Sequence, residues 1–435
     1  MSRQDCFGVS SVISWMKLQE RIYKRILHLF HSKGVNLQTI NTLWVAIVFK
    51  LFKKNIVFVN DRIVIIGDGI KIPKEGKKMP AVKSLHQESE NNTKPEYIMG
   101  HSFQSASILI KKAGLFLAIS LVSKIHEGVK FNNNDKKTLL DKFFKMMQSL
   151  LLTNKIYYVL DAYYSAGKLA KMFVAHGDHL ITRADSNAVA YEEVEINSTK
   201  KVGRPKKYGI KIKLQCIFNT ETMSEISCTI YGNNGVKVQY WEKILLWKSY
   251  GLVKFVGVNL PGKGKIILMT TDLTLTANDI IELYCARMKI ESGFKAAIHV
   301  IGTCAYHFWM KEMEPIKRKS GTQYLHKKTK SYREKVKEKI KAFEFHVLMG
   351  IIAQGLLQYL AVYYTKSVWG CFNGWLRTIS KTLIPSEYVV KSALQESYFE
   401  FLLTEAKSTE LGKFLLSIID KERLNNGKFK VKKAA

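Results

Sequence analysis

Residues 278–300 read NDIIELYCARMKIESGFKAAIHV, and the rest of the chain is organised around this stretch. Thr276 and Asp279 have the spacing of a capping box at a helix start. The stretch contains no proline and a single glycine, Gly293, so it predicts one helix of about six turns. Steps of three, four and four residues place four polar side chains on one stripe of this helix. They are Tyr284, Arg287, Glu291 and Lys295.

This polar stripe has two interpretations. A carboxylate between an arginine and a lysine, with a phenol one turn away, suits a site that holds a metal ion against a phosphate. The same residue types also suit a salt-bridged helix face in solvent. The choice between the two depends on the rest of the chain.

The composition indicates a large basic protein with a polyanionic partner. The chain has 435 residues, 47% of them hydrophobic, with 68 Lys and Arg against 36 Asp and Glu. The length predicts about two or three structural units, and the net charge of +32 exceeds what solubility requires. Nucleic acid and an anionic membrane surface both fit this charge. Six cysteines without a CxxC pair predict a reducing compartment and no structural zinc.

One uncharged run, residues 347–364, is a candidate membrane span. Its 18 residues include Gln354 and Gln358, which leaves it at the minimum length for crossing a bilayer. We interpret this single run as a buried core helix. The N-terminus shows no secretory pattern.

Two apolar runs each lead to an aspartate. Residues 63–66 lead to Asp68, and residues 156–160 lead to Asp161. Continuous apolar runs are typical of strands buried on both faces, and a carboxylate at the end of such a strand is costly unless it is paired or binds a cation. Open α/β sheets bind ligands at the carboxyl ends of their strands. If the two strands are neighbours, Asp68 and Asp161 can hold a divalent ion between them.

A third carboxylate would complete a metal site. Glu291 is the favoured ligand for a second ion, and Asp272, which follows another apolar strand, is the alternative. Three carboxylates with room for two ions form the clamp used for in-line phosphoryl displacement. Ligation by oxygen alone predicts Mg²⁺ or Mn²⁺ rather than zinc.

The pattern along the chain predicts an α/β core that is interrupted by a β-rich insertion. Residues 210–218 are expected to form one strand of this insertion, which shows no helix pattern. The basic segment 317–341, with 11 Lys or Arg, is expected to track phosphates. The predicted division is 1–54, a helical region for DNA contact or simple packing; 55–189, the first part of the core; 190–265, the insertion; 266–365, the second part of the core with the basic segment; and 366–435, a helical basic tail.

The acidic stretches resemble those of a known family. They read VIIGDGIKIPKEGKKMP around Asp68, YYVLDAYYSAGK around Asp161 and TTDLTLTANDIIELYCARMKIESGF around Glu291. The last stretch matches the Y-x2-R-x3-E signature of insertion-sequence DDE transposases of the IS-four superfamily at Tyr284, Arg287 and Glu291. The order of the motifs, with an insertion between the second aspartate and the glutamate, is also similar to this family.

The resemblance covers residues 63–364 and implies a ribonuclease H-like mixed sheet flanked by helices. It implies that the three carboxylates are the catalytic, metal-binding triad for a pair of Mg²⁺ or Mn²⁺ ions, and that Tyr284 and Arg287 contact phosphates at the transposon end. The family pattern continues to a lysine seven residues after the glutamate, where this chain has Ile298. Lys295 lies one turn nearer and could make that contact instead.

The implied activity is that of a DNA transposase with endonuclease and strand-transfer steps. Its partners would be double-stranded DNA, both the inverted-repeat ends and the target, bound by a homodimer in the prokaryotic cytoplasm away from membranes. A ribonuclease H-like nuclease without strand transfer is one alternative. A non-catalytic DNA-binding protein derived from a transposase is another.

Residues 200–207, KKVGRPKK, form a second candidate DNA contact. Their Gly-Arg-Pro core resembles an AT-hook, in which arginine enters a narrow A·T minor groove. A plain basic loop is the alternative. Either version predicts that Arg204, Lys206 and Lys207 contact DNA.

Aromatic and histidine residues elsewhere have structural interpretations. Trp241 and Trp247 lie in the insertion, where core packing is favoured over holding a flipped base. His176 and His179 have the spacing of a metal pair but lack partners in the sequence, so they are interpreted as structural.

Overall fold

The computed structural model of the chain describes residues 8–87, 95–194 and 206–426. The strands are β1 Phe58–Val59, β2 Arg62–Pro73, β3 Lys83–His86, β4 Tyr97–Lys112, β5 Leu115–Ile125, β6 Val129–Lys130, β7 Ile156–Leu160, β8 His179–Arg183, β9 Val189–Tyr191, β10 Lys211–Lys213, β11 Ser224–Ile230, β12 Asn233–Trp247, β13 Gly251–Leu260, β14 Gly264–Thr270 and β15 Gln323–Tyr324. The α-helices are α1 Val9–Trp15, α2 Arg21–His31, α3 Leu37–Leu51, α4 Leu139–Gln148, α5 Gly167–Ala175, α6 Leu214–Thr220, α7 Ala277–Ala286, α8 Lys289–Ala296, α9 Lys330–Tyr363, α10 Thr365–Cys371, α11 Glu387–Thr404, α12 Glu410–Ile418 and α13 Lys421–Asn426.

One large mixed sheet carries the fold, with strands in the order β10-β9-β12-β13-β14-β8-β7-β2-β4-β3. β2, β7 and β8 run parallel to one another. β14 pairs antiparallel with β8, and β4 pairs antiparallel with β2. Helices pack against this sheet, and the predicted α/β class with a mixed sheet flanked by helices is confirmed.

Strand β2 lies at the centre of the core. Residues 63–66 are fully buried, because β2 is covered on both faces and paired on both sides. The chain enters β2 through Asn60 and Asp61, whose φ angles are 46° and 58°. These values fit a two-residue type I′ hairpin turn between β1 and β2, which an Asn-Asp pair between two apolar runs favours.

Helices α3 and α9 cover the outer edge of β5. Trp44 Nε1 of α3 donates to the Ser120 carbonyl at 3.0 Å, and Gln358 Nε2 of α9 donates to the Ala118 carbonyl at 3.2 Å. Farther along this edge, the Ile125 N–H donates to Glu344 at 3.2 Å. An exposed strand edge invites pairing with another chain, so these side chains both satisfy the backbone and block the edge.

Helix α9 contains the uncharged run that raised the question of a membrane span. By length and composition alone it could cross a membrane, but 56% of its most apolar window is buried inside the protein. Phe343, Val347 and Ile351 belong to the main core cluster. This burial is typical of a core helix.

Two predictions of secondary structure are wrong. Residues 278–300 do not form one helix, because α7 ends at Ala286 and α8 begins at Lys289. No proline or glycine lies at this break, which coincides with the burial of the Arg287 side chain. Residues 210–218 are a strand only as far as Lys213. Helix α6 follows, because its apolar side chains recur at helical spacing and pack into one small core. They are Leu214, Ile217 and Phe218.

Candidate active site

Strands β2 and β7 bring the two aspartates side by side. They are parallel neighbours, in register from Ile63 with Ile156 to Gly67 with Leu160. Asp68 comes next within β2, and Asp161 directly follows β7, so the two residues lie side by side at the carboxyl end of β7. The adjacency on which the predicted ion site depends is therefore present.

The three predicted carboxylates converge on the guanidinium of Arg287. Asp68 Oδ2 lies 2.9 Å from Arg287 Nη1, and Asp161 Oδ1 lies 3.7 Å from Nη2. Glu291 Oε1 lies 3.8 Å from the same Nη2. Residues that are far apart in sequence therefore meet around one cation.

The break between α7 and α8 places Arg287 at this centre. Helix α7 is buried along most of its length, which carries its C-terminal end into the core. The Arg287 side chain is 6% exposed, whereas the side chains of Asp161 and Glu291 are 43% and 44% exposed. The cluster therefore has a buried side at Asp68 and Arg287 and an open side that a substrate could reach.

Burial dominates the electrostatics of Asp68. Desolvation raises the pKa of this carboxyl to about 6, although Arg287 and the Gly69 N–H pull it down. The Gly69 N–H donates to Asp68 Oδ1 at 2.7 Å. Burial acts to lower the pKa of Arg287, but the neighbouring carboxylates outweigh it and raise that pKa. Asp68 is thus an anion that gains from a further nearby cation.

One hydrogen-bond donor of the Arg287 side chain has no acceptor among the described residues. Its Nε is buried and has no hydrogen-bond partner among the described residues, while both terminal nitrogens face carboxylates. A buried donor without a partner is costly. The guanidinium is therefore held by charge rather than by a complete set of hydrogen bonds.

Asp272, the alternative third ligand, lies away from the cluster. Strand β14 runs antiparallel to β8, so its carboxyl end lies at the opposite edge of the sheet from the carboxyl ends of β7 and β8. There Asp272 accepts from the Tyr157 hydroxyl at 2.5 Å and from the Thr274 hydroxyl at 2.7 Å. The geometry groups Glu291, and not Asp272, with the two aspartates.

The two histidines make contacts within the fold. His176 Nδ1 lies 3.1 Å from Asp178, and His179 Nδ1 lies 3.1 Å from the Thr271 hydroxyl. Trp241 is 3% exposed and stands edge-on to Phe218. These contacts fit the structural interpretation of the histidines and of Trp241, which stays a prediction.

The predicted DNA-contacting residues differ in exposure. Tyr284 and Arg287 are buried, whereas Lys295, Lys206 and Lys207 are exposed. Arg204 and the rest of the AT-hook-like core lie outside the described residues. Contact of these residues with DNA stays a prediction.

Two further residues near the cluster were not predicted from the sequence. Tyr231, in the turn between β11 and β12, and Arg183, at the end of β8, are close enough to act electrostatically on Tyr284. A Tyr-Gly pair between two alternating strands could have marked the turn. Nothing in the sequence shows that the turn lies against α7.

The donor set fits a hard divalent cation. All three side chains offer carboxylate oxygen, the ligand that Mg²⁺ and Mn²⁺ prefer, and the buried Asp68 gains from added positive charge. Within the described residues, no group of three acidic, histidine or cysteine side chains is close enough to hold an ion as it stands. The cation that the carboxylates contact in this structure is the Arg287 guanidinium.

The fold and this cluster define a class of α/β protein with a three-carboxylate centre at one edge of a mixed sheet. Residues 67–302 match the family described as the transposase DDE domain. The match spans more than half of the chain and includes all three carboxylates, and this chain belongs to that family.

Comparison with curated proteins gives no match. Among solved structures, the chain is similar to a piggyBac transposase, seen by cryo-electron microscopy in a synaptic complex with hairpin DNA, with 9% identity and a TM-score of 0.30. The similarity covers 92% of this chain and 64% of that one. A TM-score this low does not establish a common fold.

Proposed function

We propose that this protein is a metal-dependent DNA transposase with a ribonuclease H-like core, of the IS-four superfamily. It cleaves DNA at the ends of a transposon and joins those ends to target DNA. The observation that carries the proposal is the convergence of Asp68, Asp161 and Glu291 on one point. Membership of the transposase DDE domain family supports the same chemistry.

In this proposal the three carboxylates hold two Mg²⁺ or Mn²⁺ ions. When bound, such ions supply activation of the attacking water or 3′-hydroxyl and stabilisation of the leaving oxygen. Asp68 is fixed by the Gly69 N–H, which keeps one carboxylate oriented. Glu291 and Asp161 lie on the open side, where the phosphate of a DNA strand can approach.

Arg287 serves in this proposal as a counter-ion of the three carboxylates. Its guanidinium lies within 4 Å of each carboxylate, so a divalent cation and the guanidinium compete for the same negative charge. Withdrawal of Arg287 from the carboxylates would leave its terminal nitrogens available for a DNA phosphate. This accounts for both the buried position seen here and the phosphate contact implied by the family signature.

The other parts of the protein have proposed roles on DNA. Lys295, Lys206, Lys207 and Arg204 contact phosphates, together with Tyr284 and the basic segment 317–341. The segments 1–54, 55–189, 190–265, 266–365 and 366–435 remain the proposed units. The proposed assembly is a homodimer that holds two inverted-repeat ends in the cytoplasm of a prokaryote, away from membranes.

A cleavage assay tests the proposal. The DNA flanking the gene is searched for inverted repeats, and a duplex that carries one repeat is incubated with Mg²⁺ and either wild-type protein or the Asp161→Asn variant. Asp161→Asn should abolish cutting, whereas the exposed Asp185→Asn should cut like wild type. Equal cutting by Asp161→Asn and wild type would refute the mechanism.

A strand-transfer assay separates the proposal from a plain nuclease. A DNA end with a free 3′-hydroxyl is offered together with supercoiled target DNA. Joined product supports transposition. Cleavage without joining would instead favour the nuclease.

A further inference from the structure

The hairpin between β11 and β12 has an unusual residue in its turn. Ile230 pairs with Asn233, so Tyr231 and Gly232 form a two-residue loop, with φ angles of 51° and 95°. Two positive φ angles fit a type I′ turn, in which Asn, Asp or Gly normally takes the first position. A bulky aromatic residue in this region is a conformational outlier. Tyr231 is the only aromatic residue with a positive φ in the part of the chain that the structure describes.

The β11–β12 hairpin contacts α7 close to the junction between α7 and α8. The Thr229 N–H donates to the Glu282 carboxylate of α7 at 2.6 Å. Lys263, from the neighbouring β13–β14 turn, places its ammonium 5.4 Å from the centre of the Tyr231 ring. The same ammonium lies 3.6 Å from the sulfur of Met288, which follows Arg287 in the break. Two turns of the β-rich region therefore meet at the α7–α8 junction.

The Tyr231 side chain lies near the candidate active site. Its ring packs against the core cluster that contains Tyr284 and Ile290, the residues on either side of the break. Burial raises the pKa of the Tyr231 hydroxyl to about 12, and Cys285, Arg287 and Glu291 are all near enough to influence it. The ring thus lies beside the segment that carries both Arg287 and Glu291.

We infer that Tyr231 is a positioning residue of the proposed active site. Its ring holds the α7–α8 junction so that Arg287 and Glu291 face the two aspartates. Strained residues concentrate at functional sites, where the surrounding structure enforces them. Asparagine in the same turn would avoid the strain, but its side chain is too short to cover the junction. The inference rests on the proposed function and adds a role for the β-rich insertion.

The test compares stability with cleavage in the Tyr231→Asn variant. Relief of strain should offset the packing that is lost with the ring, so the thermal unfolding midpoint should stay within about 2 °C of wild type. Loss of the ring should lower the kcat of metal-dependent cleavage by about tenfold or more, because small displacements of reacting groups are costly. A residue with a merely structural role would lose activity only together with stability.

Leu151→Asn is the matched control. Leu151 is exposed, has a φ angle of 54° and precedes β7, at the end of that strand away from Asp161. This variant should be at least as stable as wild type and keep the wild-type cleavage rate. Tyr231→Phe, which keeps both the ring and the strain, should resemble wild type in both measurements.

Two results would overturn the positioning role and leave the proposed function intact. One is a wild-type kcat in Tyr231→Asn. The other is a loss of kcat in Tyr231→Phe that is as large as the loss in Tyr231→Asn. Absence of metal-dependent cleavage by the wild-type protein would overturn the proposed function and this inference together.

Discussion

At the scale of single residues, Arg287 supplies the positive charge that balances the three carboxylates of the candidate site. It forms an ion pair with Asp68 at 2.9 Å and lies within 4 Å of Asp161 and Glu291. Without it, a mostly buried carboxylate would face two other carboxylates with no counter-ion, which is costly in a region of low dielectric constant. The arginine thus stabilises the arrangement that a metal ion would need, while its own charge opposes binding of that ion.

This dual role predicts the effect of Arg287→Gln on metal binding. Removal of one positive charge beside the carboxylates should tighten Mn²⁺ binding by roughly tenfold, about 1.4 kcal/mol. Electron paramagnetic resonance titration of free Mn²⁺ measures the affinity. Lys295→Gln, an equal loss of charge at an exposed position one turn beyond Glu291, should have a much smaller effect. Weaker Mn²⁺ binding in Arg287→Gln than in wild type would contradict the counter-ion role.

The Glu344 carboxyl should make the free energy of unfolding depend on pH. This effect does not involve the active site. Desolvation raises the pKa of this carboxyl to about 7, against the opposing effects of Lys124 and the Ile125 N–H. A raised pKa in the folded state contributes stability below the unfolded value near 4.5, and this contribution is lost as the pH rises through about 7.

Glu344→Gln should remove that part of the pH dependence. The amide keeps an acceptor for the Ile125 N–H and carries no charge, so the variant should exceed wild type at pH 8 by on the order of 2 kcal/mol. Urea unfolding at pH 5 and pH 8 measures the difference. The control is Glu338→Gln, in the exposed part of the same helix. A wild-type advantage at pH 8 would show that the charged form is the stable one.

At the scale of elements, strand direction determines which acidic residues meet. Parallel pairing of β2 with β7 puts Asp68 and Asp161 at one edge of the sheet, whereas antiparallel pairing of β14 puts Asp272 at the other. The end of helix α7 then brings Arg287 to the first edge, and α8 brings Glu291. The three apolar runs that lead to an aspartate look alike in sequence, but the strands that they form differ in direction.

Gly67 lies where β2 packs against α4, and we expect this position to be sensitive to the addition of a side chain. A Cβ at Gly67 would lie 2.6 Å from the Phe143 ring and 2.7 Å from Leu160, which is too close for either side chain. Gly67→Ala should lower the free energy of unfolding by about 2 kcal/mol and displace the adjacent Asp68. Gly69→Ala is the control, since its Cβ would make only an ordinary contact at 3.7 Å. Equal urea midpoints for the two variants would contradict this packing.

At the scale of the whole molecule, the chain has a net charge of +32, and one helix, α9, connects part of this basic surface to the apolar core. The first part of α9 is basic and largely exposed, while its later part is buried against the sheet and α3. A phosphate backbone bound along the exposed part would therefore be attached rigidly to the core. This arrangement suits a protein that must hold DNA against a fixed site.

The basic segment predicts the salt dependence of DNA binding. Lys327 and Lys330 are exposed at the start of α9, so replacing both with Gln should reduce the slope of log K against log salt by about 2. Fluorescence anisotropy with a labelled duplex measures the slope. Replacing Lys407 and Lys421, which are exposed on the C-terminal side, should change it less. Equal changes for the two pairs would argue against this surface.

The sequence by itself determined the buried strands, the hairpin turn at Asn60 and Asp61, and the candidate acidic residues, with Asp272 still an alternative to Glu291. These features are encoded by neighbouring residues, since apolar runs, turn preferences and local spacing need no partner from elsewhere in the chain. The α/β class followed from the same patterns.

Only the tertiary structure decided the break at Arg287, the exclusion of Asp272 and the position of Tyr231 beside the site. Each depends on which elements become neighbours and in which direction they run, and no local pattern records this. The predicted continuous helix is interrupted at Arg287, the residue whose charge meets the carboxylates of Asp68 and Asp161. The sequence supplied the charged groups, and long-range packing determined which of them face one another.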